Sequence, residues 1–143
     1  SSVRIVRART VDGALEEAFA RLMPQLSSAC PVPQRAALER IAASPCTALF
    51  FAEAGGRIAG VLTAAAYEVP KVWIEDVVVD AAARGRGIGR SLVGAAVAWA
   101  RSEGADRVML TSNPSRGAAR RLYAKMGFKE AETTVFACKT DTE

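Results

Sequence analysis

The chain has 143 residues, half of them hydrophobic, and a formal net charge of +4, so it predicts one globular domain over residues 1–143. It contains no histidine, which excludes serine–histidine and cysteine–histidine nucleophiles and removes the commonest metal ligand, so no metal site is expected. The three cysteines are widely spaced and no apolar run is long enough to cross a membrane, so we expect free thiols, a cytoplasmic location and no membrane partner.

Hydrophobic periodicity in the first half of the chain predicts a strand, two helices and a β-hairpin. Thr10 is the expected N-cap of the first helix, and Pro24 is expected to end that helix soon afterwards. The hairpin turn is predicted at Ala54-Gly55-Gly56, and Gly60 in the following strand indicates a bulge or close packing. The predicted elements are residues 3–8, 10–24, 34–43, 46–52 and 57–67.

The second half of the chain predicts strands and helices in alternation, followed by two strands. Glu68-Val69-Pro70 is expected to turn the chain into the first of these strands. Asn113 and Pro114 have the residue types of an N-cap and a first helical position, and Gly127 is a typical helix stop. The predicted strands are residues 72–79, 106–111, a short one from 128 and 133–139, and the predicted helices are 87–102 and 113–126.

The most informative stretch joins the strand at residues 72–79 to the helix that begins near residue 87. Its loop, Arg84-Gly85-Arg86-Gly87-Ile88-Gly89, has three glycines in five positions, which permit positive φ and close approach of a ligand to the backbone. The first turn of the helix has N–H groups without helical partners, and Arg84, Arg86 and Arg90 add positive charge around them. This combination predicts an anion site that suits a pyrophosphate.

Two other interpretations of this loop stand beside the anion site. It could be a turn that only fits the strand to the helix. A dinucleotide-binding loop fits poorly, because Arg90 stands where the third glycine is needed and Leu110-Thr111-Ser112 supplies no acidic residue after the next strand. Nucleic acid is not an expected partner, since aromatic residues do not interleave with the arginines.

Arg84-x-x-Gly87-x-Gly89 after a valine-rich strand resembles the acyl-CoA-binding signature of the GNAT (GCN5-related N-acetyltransferase) superfamily. The later Leu122-Tyr123-Ala124-Lys125-Met126-Gly127-Phe128 is similar to the end of the core that this superfamily shares. The resemblance, specific over residues 72–128, implies a mixed α/β (α+β) GNAT fold. Its mostly antiparallel sheet would have about six to seven strands flanked by four helices, in the order β-α-α-β-β-β-α-β-α-β-β, which is also the predicted order.

The resemblance implies acetyl-CoA as the co-substrate. In this family the central strand splays from its neighbour, so the Val77 N–H would meet the thioester carbonyl and Val79 would pair with the pantetheine amide. The asparagine that many members have seven residues before the tyrosine is replaced here by Arg116, which could meet a CoA phosphate, or Asn113 could contact CoA instead. The implied cofactor contacts are Val77, Val78, Val79, Arg84, Gly85, Arg86, Gly87, Ile88, Gly89, Arg90, Asn113 and Arg116.

Tyr123 occupies the position of the family's general acid, which protonates the CoA thiolate, although an amphipathic helix could also carry it as a packing aromatic. Glu75 is the candidate general base or amine contact, since strand alternation gives it the parity of Val77 and Val79. Asp76 or a water relay remains open as the base, and Glu75 could be an ordinary surface carboxylate. In the family members that acetylate histones, the basic glutamate would lie nearer the position that Trp73 occupies here. This chain differs from them at that position, so histone acetylation is disfavoured.

The sequence therefore predicts an N-acetyltransferase that moves an acetyl group from acetyl-CoA to a primary amine of a small molecule by direct attack. Two alternatives remain: a protein lysine or N-terminal acetyltransferase, and a CoA-binding regulatory module without catalysis. A homodimer is a further expectation from the β-rich C-terminal segment and family habit.

Overall fold

The computed structural model describes residues 2–67 and 71–140. The chain falls into two compact units, Ser1–Thr111 and Ser112–Glu143. The elements are β1 (Val3–Ala8), α1 (Gly13–Leu26), α2 (Arg35–Ala43), β2 (Thr47–Ala54), β3 (Arg57–Ala66), β4 (Lys71–Val79), a 3-10 turn (Ala81–Ala83), α3 (Ile88–Ser102), β5 (Arg107–Met109) and α4 (Gly117–Lys125). The predicted turn at residues 68–70 lies outside the described residues.

The first unit contains a five-stranded sheet in the order β1-β2-β3-β4-β5. The first four strands pair antiparallel, and β4 pairs with β5 in parallel. Gly55 and Gly56 both have positive φ in the turn between β2 and β3, as a two-residue hairpin turn requires. The mixed, mostly antiparallel sheet and the four helices confirm the predicted fold class.

Helices α1 and α3 cover opposite faces of the sheet. Successive strand residues point to opposite faces, so the neighbours Gly60 and Val61 on β3 identify the two layers. Val61 belongs to a buried cluster with Phe19 of α1, whereas a side chain on Gly60 would meet Ile88 and Leu92 of α3. The expected close packing at Gly60 is therefore confirmed, and it brings α3 against β3 directly beside β4.

The strand count differs from the prediction. Phe128 and residues 133–139 were expected to form strands, but residues 128–140 have no helix or strand, and the sheet formed by the described residues has five strands rather than six or seven. In this segment Val135 is 68% exposed and Phe136 is 91% exposed. Alternation of residue types alone does not make a strand, because a strand also needs a partner for its backbone hydrogen bonds and a face to bury.

Two helix starts also differ from the prediction. The N-cap of α1 is Asp12 rather than Thr10, because the Asp12 carboxylate accepts a hydrogen bond from the Leu15 N–H at 2.9 Å. Helix α4 begins at Gly117 rather than at Asn113-Pro114. The Asn113 side chain instead accepts hydrogen bonds from the N–H and hydroxyl of Ser115, which stabilise a separate turn before the helix.

Candidate active site

Strand β4 is paired on both sides only at its beginning. Its parallel pairing with β5 joins Lys71, Val72 and Trp73 to residues 107–109. On its other side β4 pairs with β3 as far as Val79, which lies opposite Gly60. Within residues 2–67 and 71–140, the second edge of β4 therefore has no partner strand from Ile74 to Val79, and we call this stretch the open edge of β4.

The register indicates which backbone groups face this open edge. The Asp80 N–H donates to the Ala59 carbonyl on β3 at 2.7 Å. N–H groups along an antiparallel strand alternate between its two sides. The backbone N–H of Val78 is therefore directed towards β3, and the N–H groups of Val77 and Val79 are directed towards the open edge. The two residues with expected backbone roles thus present their N–H and C=O groups on the unpaired side.

A β-bulge interrupts β4 at Glu75. Thr63 pairs with Asp76 and the adjacent Ala64 pairs with Ile74, so Glu75 is the extra residue. The sequence predicts Glu75 on the same face of the strand as Val77 and Val79. The bulge interrupts the alternation of side chains between the two faces, so this prediction no longer follows from the spacing. Glu75 is exposed, and the structure places it at the start of the open edge.

Asp76 lies next to this bulge in a different environment. Its carboxylate accepts a hydrogen bond from the Thr63 hydroxyl at 3.3 Å, and Thr63 is itself buried. Partial burial raises the pKa of Asp76 above the ordinary value of 3.8, and the hydrogen bond from Thr63 opposes this shift. Two carboxylates with different surroundings therefore stand side by side at the entrance to the open edge.

The glycine loop follows the open edge and leads into α3. Gly85 has a φ of +80° and Gly87 a φ of +74°, a conformation that other residues adopt only with strain. No atom lies within 4 Å of the position that a side chain on either glycine would take. The expected backbone approach therefore has open space beside both residues.

Gly87 is the N-cap of α3 and forms no side-chain capping bond, so the first-turn N–H groups of α3 have no helical acceptor. Ile88 is buried and anchors this turn, while Gly89 is partly buried. The three arginines of the loop region, Arg84, Arg86 and Arg90, are all exposed. Unpaired amide groups, a helix N-terminus and positive side chains together form an arrangement suited to an anion with several phosphates.

The second unit contains the remaining predicted residues. Tyr123 lies on α4, partly buried, with its ring centroid 5.8 Å from that of Phe128. Burial raises the pKa of Tyr123 above 10.0, and the positive charge of Arg116 opposes this shift. Arg116 is the N-cap of α4, and its N–H donates to the carbonyl of Asn113 at 2.9 Å.

A cavity of about 530 Å³ lies elsewhere in the first unit, lined by β1, the start of α1 and the β2–β3 hairpin. None of the predicted site residues lines it. Two of its lining residues, Arg21 and Glu17, already pair with each other. The open edge of β4 and the glycine loop therefore remain the candidate active site.

A polar cluster that the sequence does not predict lies where β4 ends. Arg21 and Gln25 of α1 contact Asp80 through hydrogen bonds at 2.6 and 3.5 Å. The partners are 59 and 55 residues apart, so no local pattern could join them. The spacing of Arg21 and Gln25, one helical turn apart on α1, was the available signal.

Within residues 2–67 and 71–140, no group of three or more cysteine, aspartate or glutamate side chains is arranged to hold a metal ion. No helix in those same ranges is both long enough and apolar enough for a membrane crossing.

Comparison with known proteins identifies the family. Residues 14–128 match the model of the acetyltransferase (GNAT) family. A rice protein (Oryza sativa subsp. japonica), glucosamine 6-phosphate N-acetyltransferase 1, is 34% identical over 128 residues, which are 81% of this chain and 76% of the relative.

Solved structures share the fold. A transcriptional regulator from Bacillus halodurans C-125 has a TM-score of 0.81 and 26% identity, covering 96% of this chain and 100% of the other. The aminoglycoside N-acetyltransferase AAC(6′)-Iy in complex with CoA has a TM-score of 0.79 and 23% identity, covering 98% and 96% of the two chains. The family model, the rice relative and the shared fold agree with the glycine-loop signature, and this chain belongs to the GNAT family of acetyltransferases.

Proposed function

We propose that this chain, as one domain over residues 1–143, transfers the acetyl group of acetyl-CoA to a primary amine of a small molecule. The observation that carries the proposal is the open edge of β4, followed after one short turn by a positive-φ glycine loop. The names of two similar proteins, one for glucosamine 6-phosphate and one for aminoglycosides, support an amino sugar as the acceptor.

The residues of the first unit that would hold acetyl-CoA follow one another along the chain. The Val77 N–H would bind the thioester carbonyl and Val79 the pantetheine amide, because both face the open edge. Val78, 1% exposed and packed in the α1 cluster, would keep its two neighbours in place. The amides of residues 85–90, with Arg84, would bind the pyrophosphate, and the proposed contacts from the second unit are Asn113 and Arg116.

Acetyl-CoA supplies an acyl group activated as a thioester, and residues of this chain accept and donate the protons of the reaction. A carboxylate accepts a proton from the amine as its nitrogen bonds to the acyl carbon. The carbon–sulfur bond breaks, and Tyr123 donates its phenolic proton to the leaving sulfur. Burial raises the pKa of Tyr123, so its phenol is protonated at neutral pH and has a proton to donate.

We assign Glu75 as the carboxylate that meets the acceptor amine, because the bulge leaves it exposed beside the open edge. Asp76 is the competing base, since its raised pKa makes it a better proton acceptor than an ordinary aspartate. The two assignments predict different pH profiles for Glu75→Gln and Asp76→Asn. The fall of kcat/KM at low pH reports protonation of the general base. The variant in which this fall disappears therefore identifies the base.

The proposal is tested by thiol release from acetyl-CoA over a panel of amino sugars, aminoglycosides, polyamines, amino acids and lysine peptides. A strong response from an amino sugar or another small amine supports the proposal. A response from lysine peptides alone would replace it with protein acetylation. No response, with CoA still raising the melting temperature, would favour a CoA-binding module without catalysis.

A further inference from the structure

The polar cluster at the end of β4 consists of Glu17, Arg21 and Gln25 on one face of α1, together with Asp80; we call it the β4-exit cluster. Arg21 donates to the Asp80 carboxylate at 2.6 Å. It also donates to the Ile58 carbonyl on β3 at 2.8 Å and to Glu17 at 3.1 Å. One arginine of α1 thus holds the end of β4 and the start of β3 together.

The same cluster provides partners for the backbone that leaves β4. The Asp80 carboxylate accepts a hydrogen bond from the Ala82 N–H at 3.0 Å. The Gln25 side-chain carbonyl accepts one from the Ala81 N–H at 2.8 Å, and the Asp80 carbonyl accepts one from the Ala83 N–H at 2.9 Å. The N–H groups of residues 81–83 are therefore all held by the cluster.

The ion pair between Arg21 and Asp80 is sheltered from solvent. The Arg21 side chain is 20% exposed and that of Asp80 is 11% exposed, so water screens their attraction less than at an open surface. The hydrogen bond from the Ala82 N–H, helped by Gln25, Arg21 and Arg57, lowers the pKa of Asp80 against the opposing effect of burial. The carboxylate consequently stays charged across the neutral range.

The composition of the loop that follows leaves its backbone conformation variable. Residues 84–87 are exposed, and two of them are glycines, whose backbones are the most freely variable. The loop ends at Ile88 of α3, which is buried and fixes it. The loop begins directly after residues 81–83, whose N–H groups the β4-exit cluster holds. A loop of this composition keeps its amide groups aligned only if both ends are fixed.

We infer that Arg21 is a positioning residue for the pyrophosphate of CoA, acting through Asp80 and with Gln25 on the loop at residues 84–90. The inference rests on the proposed function, in which that loop binds CoA. The hydrogen bonds of Arg21 are to Glu17, Ile58 and Asp80, and through them Arg21 sets the geometry from which the loop starts.

The experiment measures CoA affinity by isothermal titration calorimetry at a temperature where circular dichroism shows each variant folded. Arg21→Gln is expected to weaken CoA binding about tenfold, the effect of misaligning one or two charge-assisted hydrogen bonds. Arg21→Lys is expected to recover part of this loss. Gln25→Ala removes the partner of the Ala81 N–H and the longer contact with Asp80, and it is expected to weaken binding less than Arg21→Gln. Gln25→Ala carries the test if Arg21→Gln does not fold.

The matched control is Arg35→Gln. Arg35 also donates to a main-chain carbonyl, that of Val11 at 2.7 Å, and pairs with Glu16 of α1, but it does not contact the β4-exit cluster. Its loss is expected to lower stability and leave CoA affinity within twofold of the wild type. A second readout compares kcat/KM for acetyl-CoA with that for S-acetylpantetheine, which lacks the pyrophosphate.

Arg21→Gln should lower kcat/KM for acetyl-CoA by raising KM. It should leave kcat/KM for S-acetylpantetheine unchanged. Equal losses with both donors, or unchanged CoA affinity in a folded Arg21→Gln protein, would overturn the positioning role. A wild-type protein that binds no CoA would instead refute the proposed function, so the two failures are distinguishable.

Discussion

Replacing Gly87 with alanine tests the glycine loop most directly. Gly87 has a φ of +74°, and no atom lies within 4 Å of the position that an alanine methyl group would take. The substitution therefore creates no clash within the protein, and its effects come from the strained backbone and from the space beside the loop. Both effects can be estimated separately.

An alanine held at positive φ costs roughly 1–2 kcal/mol of folding free energy. For a domain of this size about 1 kcal/mol corresponds to a melting-temperature change of about 3–4 °C, so Gly87→Ala should lower the melting temperature by about 3–8 °C. If the Gly87 backbone meets the pyrophosphate, disturbing one or two amide–phosphate hydrogen bonds should also weaken CoA binding by about 10- to 100-fold.

Gly104 provides the control at the other end of α3. Its φ is +80° and its surroundings are equally open, so Gly104→Ala carries the same backbone strain without approaching the loop. Differential scanning fluorimetry and calorimetric titration with CoA are run on both variants. Equal losses of melting temperature, with CoA affinity reduced only in Gly87→Ala, are expected; normal CoA affinity in Gly87→Ala would refute the loop assignment.

Three further changes probe the acid, the buried carboxylate and the packing beneath the loop. Tyr123→Phe should lower kcat by about 100-fold while CoA affinity stays within about twofold, and a calorimetric loss of CoA binding would show that the residue is structural instead. Burial raises the pKa of Asp76, so the folded state disfavours its charged form at neutral pH and this cost disappears below the unfolded value of 3.8. Asp76→Asn should thus raise the melting temperature at pH 7, with the gain fading towards pH 4; a constant gain would contradict this account. Gly60→Ala would place a methyl carbon 2.9 Å from Leu92 and should cost about 1–3 kcal/mol in urea denaturation, and an unchanged midpoint would mean that α3 shifts freely on the sheet.

The glycine loop shows what local sequence determines. The helix after it, the hairpin turn at Gly55-Gly56 and the stop at Gly127 all depend on residues within one or two turns, and the structure has each of them close to its predicted place. The same local reasoning failed at residues 133–139, where alternation predicted a strand that has no partner to pair with. Helix starts shifted by a few residues at Asp12 and Gly117 because several polar side chains compete to cap the same turn.

The sequence by itself determined the fold class, the family resemblance and the positive-φ loop, because these depend on short-range periodicity and on residue types at fixed spacing. Only the tertiary structure decided where the β5 pairing stops, which leaves the edge of β4 open, and where the bulge separates Glu75 from Asp76. It alone brought Arg21 to Asp80, 59 residues away, since contacts between distant segments arise from the packing of whole elements and leave no local pattern.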